Sequence, residues 1–145
     1  KNMKKIVLIT MLVLSFSYAQ MAKEMTVYKN PYCGCCGSWI DQMKEKGFNI
    51  KTIVKDNFDD LKREKGISSE NASCHTALID GYVIEGHVDY SAIKKLLTQK
   101  PKDVVGLTVP GMVVGSPGME MGNKKMPYNV LSIKKDGSTA VYEKH

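Results

Sequence analysis

Lys29-Asn30-Pro31-Tyr32-Cys33-Gly34-Cys35-Cys36 is the stretch on which the fold turns. Before it, residues 25–28 are a short strand-forming run, and Asn30-Pro31 supplies a turn. After it, Gly37-Ser38 starts a helix that carries Trp39, Ile40 and Met43 on one face until Gly47 stops it. Thiols at a helix N-terminus sit where the backbone dipole favours thiolate. Further along, residues 49–54 alternate Ile50, Thr52 and Val54 on one face, which suits a strand. Asn57 reads as the N-cap of a second helix, with Asp59 and Asp60 in its first turn, Phe58 and Leu61 inward and Gly66 as its stop. Residues 76–79 and 82–84 flank Asp80-Gly81, a strong hairpin signal. Ser91 caps a third helix with Ile93, Leu96 and Leu97 inward, ended at Pro101.

The order is β-α-β-α-β-β-α, an α/β arrangement similar to the thioredoxin/glutaredoxin fold. The quoted stretch resembles the glutaredoxin strand-to-helix turn, and Ala77-Leu78-Ile79-Asp80-Gly81 resembles the third strand and hairpin of that family. From residue 102 the chain carries an extension. Residues 106–122 are rich in Gly, Pro and Met and read as an ordered loop. Residues 128–133 and 138–142 flank Lys135-Asp136-Gly137, a second hairpin expected beside the cysteine site.

The N-terminal residues read as an address. Lys1, Lys4 and Lys5 precede an apolar run over residues 6–16, and Ser17-Tyr18-Ala19 is a small-x-small cleavage pattern. Residues 1–19 are therefore expected to be a signal peptide, leaving residues 20–145 as a single periplasmic domain with no stable membrane insertion. The apolar run is too short for a span, which needs about 20 residues. Those three lysines supply half of the net charge of +6. The remaining excess is spread along the chain, so nucleic-acid binding is not indicated.

All four cysteines, Cys33, Cys35, Cys36 and Cys74, fall in the expected mature domain. Counting back from Asp80-Gly81 puts His75 opposite the cysteine turn, where a thioredoxin-like fold carries its cis-proline, with Cys74 beside it. Four sulfurs thus converge, and three readings compete. Two structural disulfides fit poorly, because Cys35 and Cys36 are adjacent. A thiol–disulfide or copper oxidoreductase would work through Cys33 and Cys36 alone, leaving two surplus cysteines. A metal site uses all four. Zinc prefers two separated knuckle pairs, whereas soft thiolates select Cu(I), and crowded sulfurs can bridge several ions. Cu(I) leads, and enzyme activity stays open.

Four segments carry a closer resemblance: Tyr32-Cys33-Gly34-Cys35-Cys36, Ser73-Cys74-His75-Thr76-Ala77, Gly81-Tyr82-Val83-Ile84-Glu85-Gly86-His87-Val88, and Val109-Pro110-Gly111-Met112 with Gly115-Ser116-Pro117-Gly118-Met119-Glu120. Together they resemble the CopG-type family of periplasmic, thioredoxin-like copper-resistance proteins. The resemblance implies copper handling, with Cys33, Cys35, Cys36 and Cys74 as ligands. Storage in copper tolerance and delivery by a chaperone to a copper efflux partner, or to other periplasmic copper proteins, need the same sulfurs. This chain departs from the expected pattern at Asp89 and Val113, where proline is usual.

Softer candidates surround the cysteines. His75 is a second-sphere or direct ligand, since imidazole also suits copper. His87 reads as a surface or loop-packing histidine. Met112, Met119, Met121 and Met126 cluster in the tail, and thioether sulfur binds Cu(I). Met119 is expected nearest the metal, with Met112 packed behind it. Trp39 is a core residue that shields the site.

Overall fold

Alternation along the first strand sets up the core. Met25 and Val27 of β1 (Glu24–Lys29) are buried, while Glu24 is exposed and Thr26 and Tyr28 are half-buried. The computed structural model describes residues 22–145, so the expected signal peptide at residues 1–19 lies outside the described residues. After β1 come α1 (Gly34–Glu45), β2 (Asn49–Val54), α2 (Asp59–Glu64), a 3-10 turn (Ser69–Asn71), β3 (His75–Ile79), β4 (Tyr82–Glu85) and α3 (Tyr90–Gln99). This is the expected β-α-β-α-β-β-α order. The chain continues into β5 (Val104–Thr108), β6 (Asn129–Lys134) and β7 (Thr139–Lys144).

The seven strands form one sheet in the order β2-β1-β3-β4-β5-β6-β7. β1 pairs with β2, and β4 with β5, in parallel; the other pairs are antiparallel. Trp39, Ile40 and Met43 of α1 join Ile93, Leu96 and Leu97 of α3 and the inward residues of β1, β3 and β4 in one cluster. Each such buried side chain contributes about 1.5–3 kcal/mol. A smaller cluster of Ile67, Val83 and Ile133 lies apart from it. The β3–β4 turn has positive φ at both Asp80 (49°) and Gly81 (78°), the backbone that a two-residue hairpin of matching twist demands. Among the described residues, no helix is long and apolar enough to cross a membrane.

Several local expectations are corrected. Helix α1 begins at Gly34 rather than Gly37, with Cys33 as its N-cap, so Cys35 and Cys36 occupy its first turn. Asp89, not Ser91, caps α3: its side chain accepts the Ala92 N–H at 3.1 Å, and Ser91 Oγ donates to the same carboxylate. Asp89 at the position usual for proline thus satisfies an otherwise orphaned helix amide. Val54 is 55% exposed, because β2 pairs only with β1 and forms the sheet edge.

The largest correction concerns the extension. Gly106 to Thr108, read as loop, belong to β5. A Cβ on Gly106 would collide with the Val83 backbone of β4, so glycine here permits close strand approach rather than marking a loop. The second hairpin occupies the far edge of the sheet, as β6 and β7, rather than flanking the cysteines. The loop joining β5 to β6 is what returns to them.

Candidate metal centre

Asn30 turns the chain out of β1. Its Oδ1 accepts the Tyr32 N–H at 3.0 Å, its carbonyl accepts the Cys33 N–H at 3.2 Å, and α1 follows directly. This presents three cysteines within one helical turn. Cys33 and Cys36 are joined by a disulfide, and Cys35 Sγ lies 3.6 Å from Cys33 Sγ. Strand pairing brings the fourth: His75 stands opposite Lys29 of β1, and Cys74 immediately precedes it. All four sulfurs lie within 4.8 Å of one another. Cys36 is buried, and Cys33, Cys35 and Cys74 are half-buried.

Both histidines adjoin Cys74. The fully buried His75 places Nδ1 3.4 Å from Cys74 Sγ and stacks at a tilt on Trp39, with ring centres 4.5 Å apart. Its Nε2 is buried without a hydrogen-bond partner. Of the two readings of His87, surface or loop-packing, burial overturns the first. His87 is fully buried, with Nε2 3.1 Å from Cys74 Sγ and Nδ1 2.6 Å from the Pro117 carbonyl. A carbonyl only accepts, so Nδ1 carries the proton and the Nε2 lone pair faces the sulfur. Sequence reading misses His87 because a single histidine after a strand carries no spacing signal. Its pairing with Cys74 exists only through the β3–β4 register.

The electrostatics favour neutral groups. Burial pushes the Cys74 thiol up to about 11, assisted by the nearby Cys35. Burial likewise holds His75 well below the usual imidazole range, with His87 and Lys62 acting in the same direction. His87 is lowered by burial too, opposed by its bond to Pro117 and by Glu120. Neutral imidazole is the form that ligates metal.

The β5–β6 loop covers this group. Gly118 packs so closely that a Cβ there would lie 2.9 Å from the Cys35 carbonyl oxygen and from Trp39 N, and 3.1 Å from His87 Nδ1. Gln42 Nε2 of α1 donates to Glu120 Oε1 at 2.8 Å, and Gly111 N donates to the Ala72 carbonyl at 3.1 Å. Trp39 closes the inner side, its indole N–H donating to the Val88 carbonyl at 2.8 Å. Met119 is half-buried in a turn closed by its own N–H to the Ser116 carbonyl at 2.8 Å. Met112 is 59% exposed, and so is not packed behind Met119; Met121 and Met126 are exposed as well.

Fold and site together define a class: a mixed α/β domain with a covered Cys/His cluster whose donors suit a soft metal ion. The family described as "Protein of unknown function, DUF411" matches residues 71–119, the segment carrying Cys74, His75, His87 and most of the covering loop. No curated protein matches the chain. Two solved structures, forms 1 and 2 of a copper resistance protein copG, are similar at 37% and 36% identity, each with a TM-score of 0.81. Each match covers 86% of this chain and 98% of the other. The chain belongs to the CopG family of copper resistance proteins.

Proposed function

We propose that this is an exported, periplasmic protein that binds Cu(I) in copper tolerance, with Cys33, Cys35, Cys36 and Cys74 as ligands and copper as cargo. The convergence of four sulfurs within 4.8 Å carries the reading. At that spacing one thiolate can serve two ions, so the donor set suits a multinuclear cluster as well as a single ion. His87 Nε2 and His75 Nδ1, 3.1 and 3.4 Å from Cys74 Sγ, add nitrogen donors that copper also accepts. Met119, half-buried in the covering loop next to Gly118, is the thioether candidate for a further donor. Loading the full set requires that the Cys33–Cys36 bond first be reduced.

That bond supports a second reading, a thiol–disulfide or copper oxidoreductase using Cys33 and Cys36. Two Cu(I) ions could each give one electron to the disulfide, leaving two Cu(II) ions and, with two protons, the dithiol. In that reading Cys35 and Cys74 retain metal while the other pair turns over.

The test is anaerobic loading of the reduced protein with Cu(I), followed by competition with excess Zn(II). The expected result is sulfur-to-copper charge-transfer absorption that persists when zinc is added. Displacement of Cu(I) by Zn(II) would refute the copper assignment.

A further inference from the structure

Lys62 and Glu85 form a buried ion pair that neither the hydrophobic core nor the donor cluster uses. Their side chains are 11% and 0% exposed. The partners of both converge on the short segment that carries Cys74. Lys62 Nζ donates to the Ser73 carbonyl at 3.0 Å, to Thr76 Oγ1 at 2.9 Å and to Glu85 Oε1. Glu85 Oε1 also accepts the Ser73 N–H at 2.8 Å, and Oε2 accepts from Thr76 Oγ1 at 2.6 Å. Every group around the carboxylate is a donor, and all three ammonium protons have acceptors, so both residues belong there as ions. Ser73 is held through its N–H and its carbonyl together, one residue before Cys74.

The next residues continue the same register. Gly86 N donates to the His75 carbonyl at 3.0 Å. Gly86 has positive φ (75°), and a Cβ on it would strike Ser73 Oγ at 2.5 Å and the Val109 carbonyl oxygen at 2.7 Å. His87 then reaches Cys74 Sγ. Glu85, Gly86 and His87 thus meet Ser73, His75 and Cys74 in turn, and the ion pair fixes the start of that sequence. A surface bond would be too weak for this. A buried, fully hydrogen-bonded pair has one geometry, and removal of either partner leaves an unpaired charge.

We propose that Lys62 and Glu85 are positioning residues for Cys74, holding its sulfur against the α1 cysteines from outside the donor set. The copper arm of the test rests on the Cu(I) reading above; the thiol arm does not. The informative variant is Lys62→Met with Glu85→Gln in the full chain. It removes both charges at once, and the amide oxygen it introduces can still accept the Ser73 N–H. Two quantities are read after circular dichroism has shown a folded domain. One is the rate of iodoacetamide labelling at Cys74, resolved from Cys35 by peptide mass. The other is Cu(I) affinity by chelator competition in the reduced protein. We expect labelling at Cys74 at least tenfold faster and Cu(I) affinity at least tenfold lower than in the parent. A folded variant with parental labelling and affinity would show that the pair serves stability alone and overturn the proposal. Should the double variant fail to fold, Thr76→Val decides: it removes only the bridging hydroxyl, and faster Cys74 labelling supports the proposal whereas a parental rate overturns it. A parent that binds no Cu(I) would defeat the copper reading, while the labelling result would still decide the positioning role.

Discussion

His87 Nε2 lies 3.1 Å from Cys74 Sγ while Nδ1 of the same ring is held 2.6 Å from the Pro117 carbonyl. The covering loop therefore fixes which nitrogen faces the sulfur. His87→Ala should lower Cu(I) affinity about 10–100-fold, the usual effect of losing a group that ligates or orients a ligand. Chelator competition measures it. Parental affinity in a folded His87→Ala protein would reduce His87 to a loop-packing residue.

Gly118→Ala tests the cover. The new Cβ would press on the backbone of Cys35 and Trp39 from a φ of 84°, a conformation that L side chains rarely adopt. Overpacking of this kind costs about 1–3 kcal/mol. The expected outcome is a lower melting temperature and faster Cu(I) release with unchanged stoichiometry. Unaltered release kinetics would mean that the loop does not restrict exit.

Stability of the metal-free protein should fall at both ends of the pH range. His75 and His87 have depressed affinity for protons in the fold, so the unfolded chain takes up more protons once pH drops below about 6.5. Most of the loss comes from His75, which is fully buried. At the other end, the folded Cys74 thiol holds its proton up to about 11, whereas the unfolded thiol releases it near 9.0. The stability associated with that proton is lost as pH rises through this window. Thermal melts from pH 5 to 11 check both arms, and Cys74→Ser should shrink the alkaline one. Uptake of a proton by Glu85, whose pKa burial raises, acts in the opposite direction, so a profile that is flat between pH 7 and 5 in Glu85→Gln as well as in the parent would contradict the buried neutral histidines.

Cys74→Ser should damage copper binding as severely as Cys33→Ser, despite its distance in sequence from the other three cysteines, because all four sulfurs share one volume. Simple exchange chemistry needs only Cys33 and Cys36. Insulin reduction that survives Cys74→Ser, together with parental copper stoichiometry, would favour the oxidoreductase reading.

Periodicity and turn chemistry make the core legible. Asp80-Gly81 signals the hairpin, and the Trp39, Ile40 and Met43 spacing signals α1, because these depend on near neighbours in sequence. Convergence of Cys74 on the α1 cysteines follows from counting strand positions back from that hairpin. What escapes detection depends on contacts between remote residues. Gly106 reads as a loop until the close approach of Val83 explains it. His87 and Cys74 meet through strand register, and the buried pairing of Lys62 on α2 with Glu85 on β4 joins residues with no spacing signal between them. The N-cap of α2 is Phe58 rather than Asn57, which lies one residue earlier and accepts the N–H of Asp59, the first residue of the helix, on its Oδ1 at 2.9 Å.

Copper K-edge X-ray absorption on the reduced, Cu(I)-loaded protein, compared with the variant in which Cys33, Cys35, Cys36 and Cys74 are all serine, tests the thiolate assignment most directly. The edge should report Cu(I), the first shell should be dominated by sulfur with a smaller nitrogen contribution, and the serine variant should retain no stoichiometric copper. A first shell of nitrogen and oxygen, or equal copper retention by the serine variant, would contradict it.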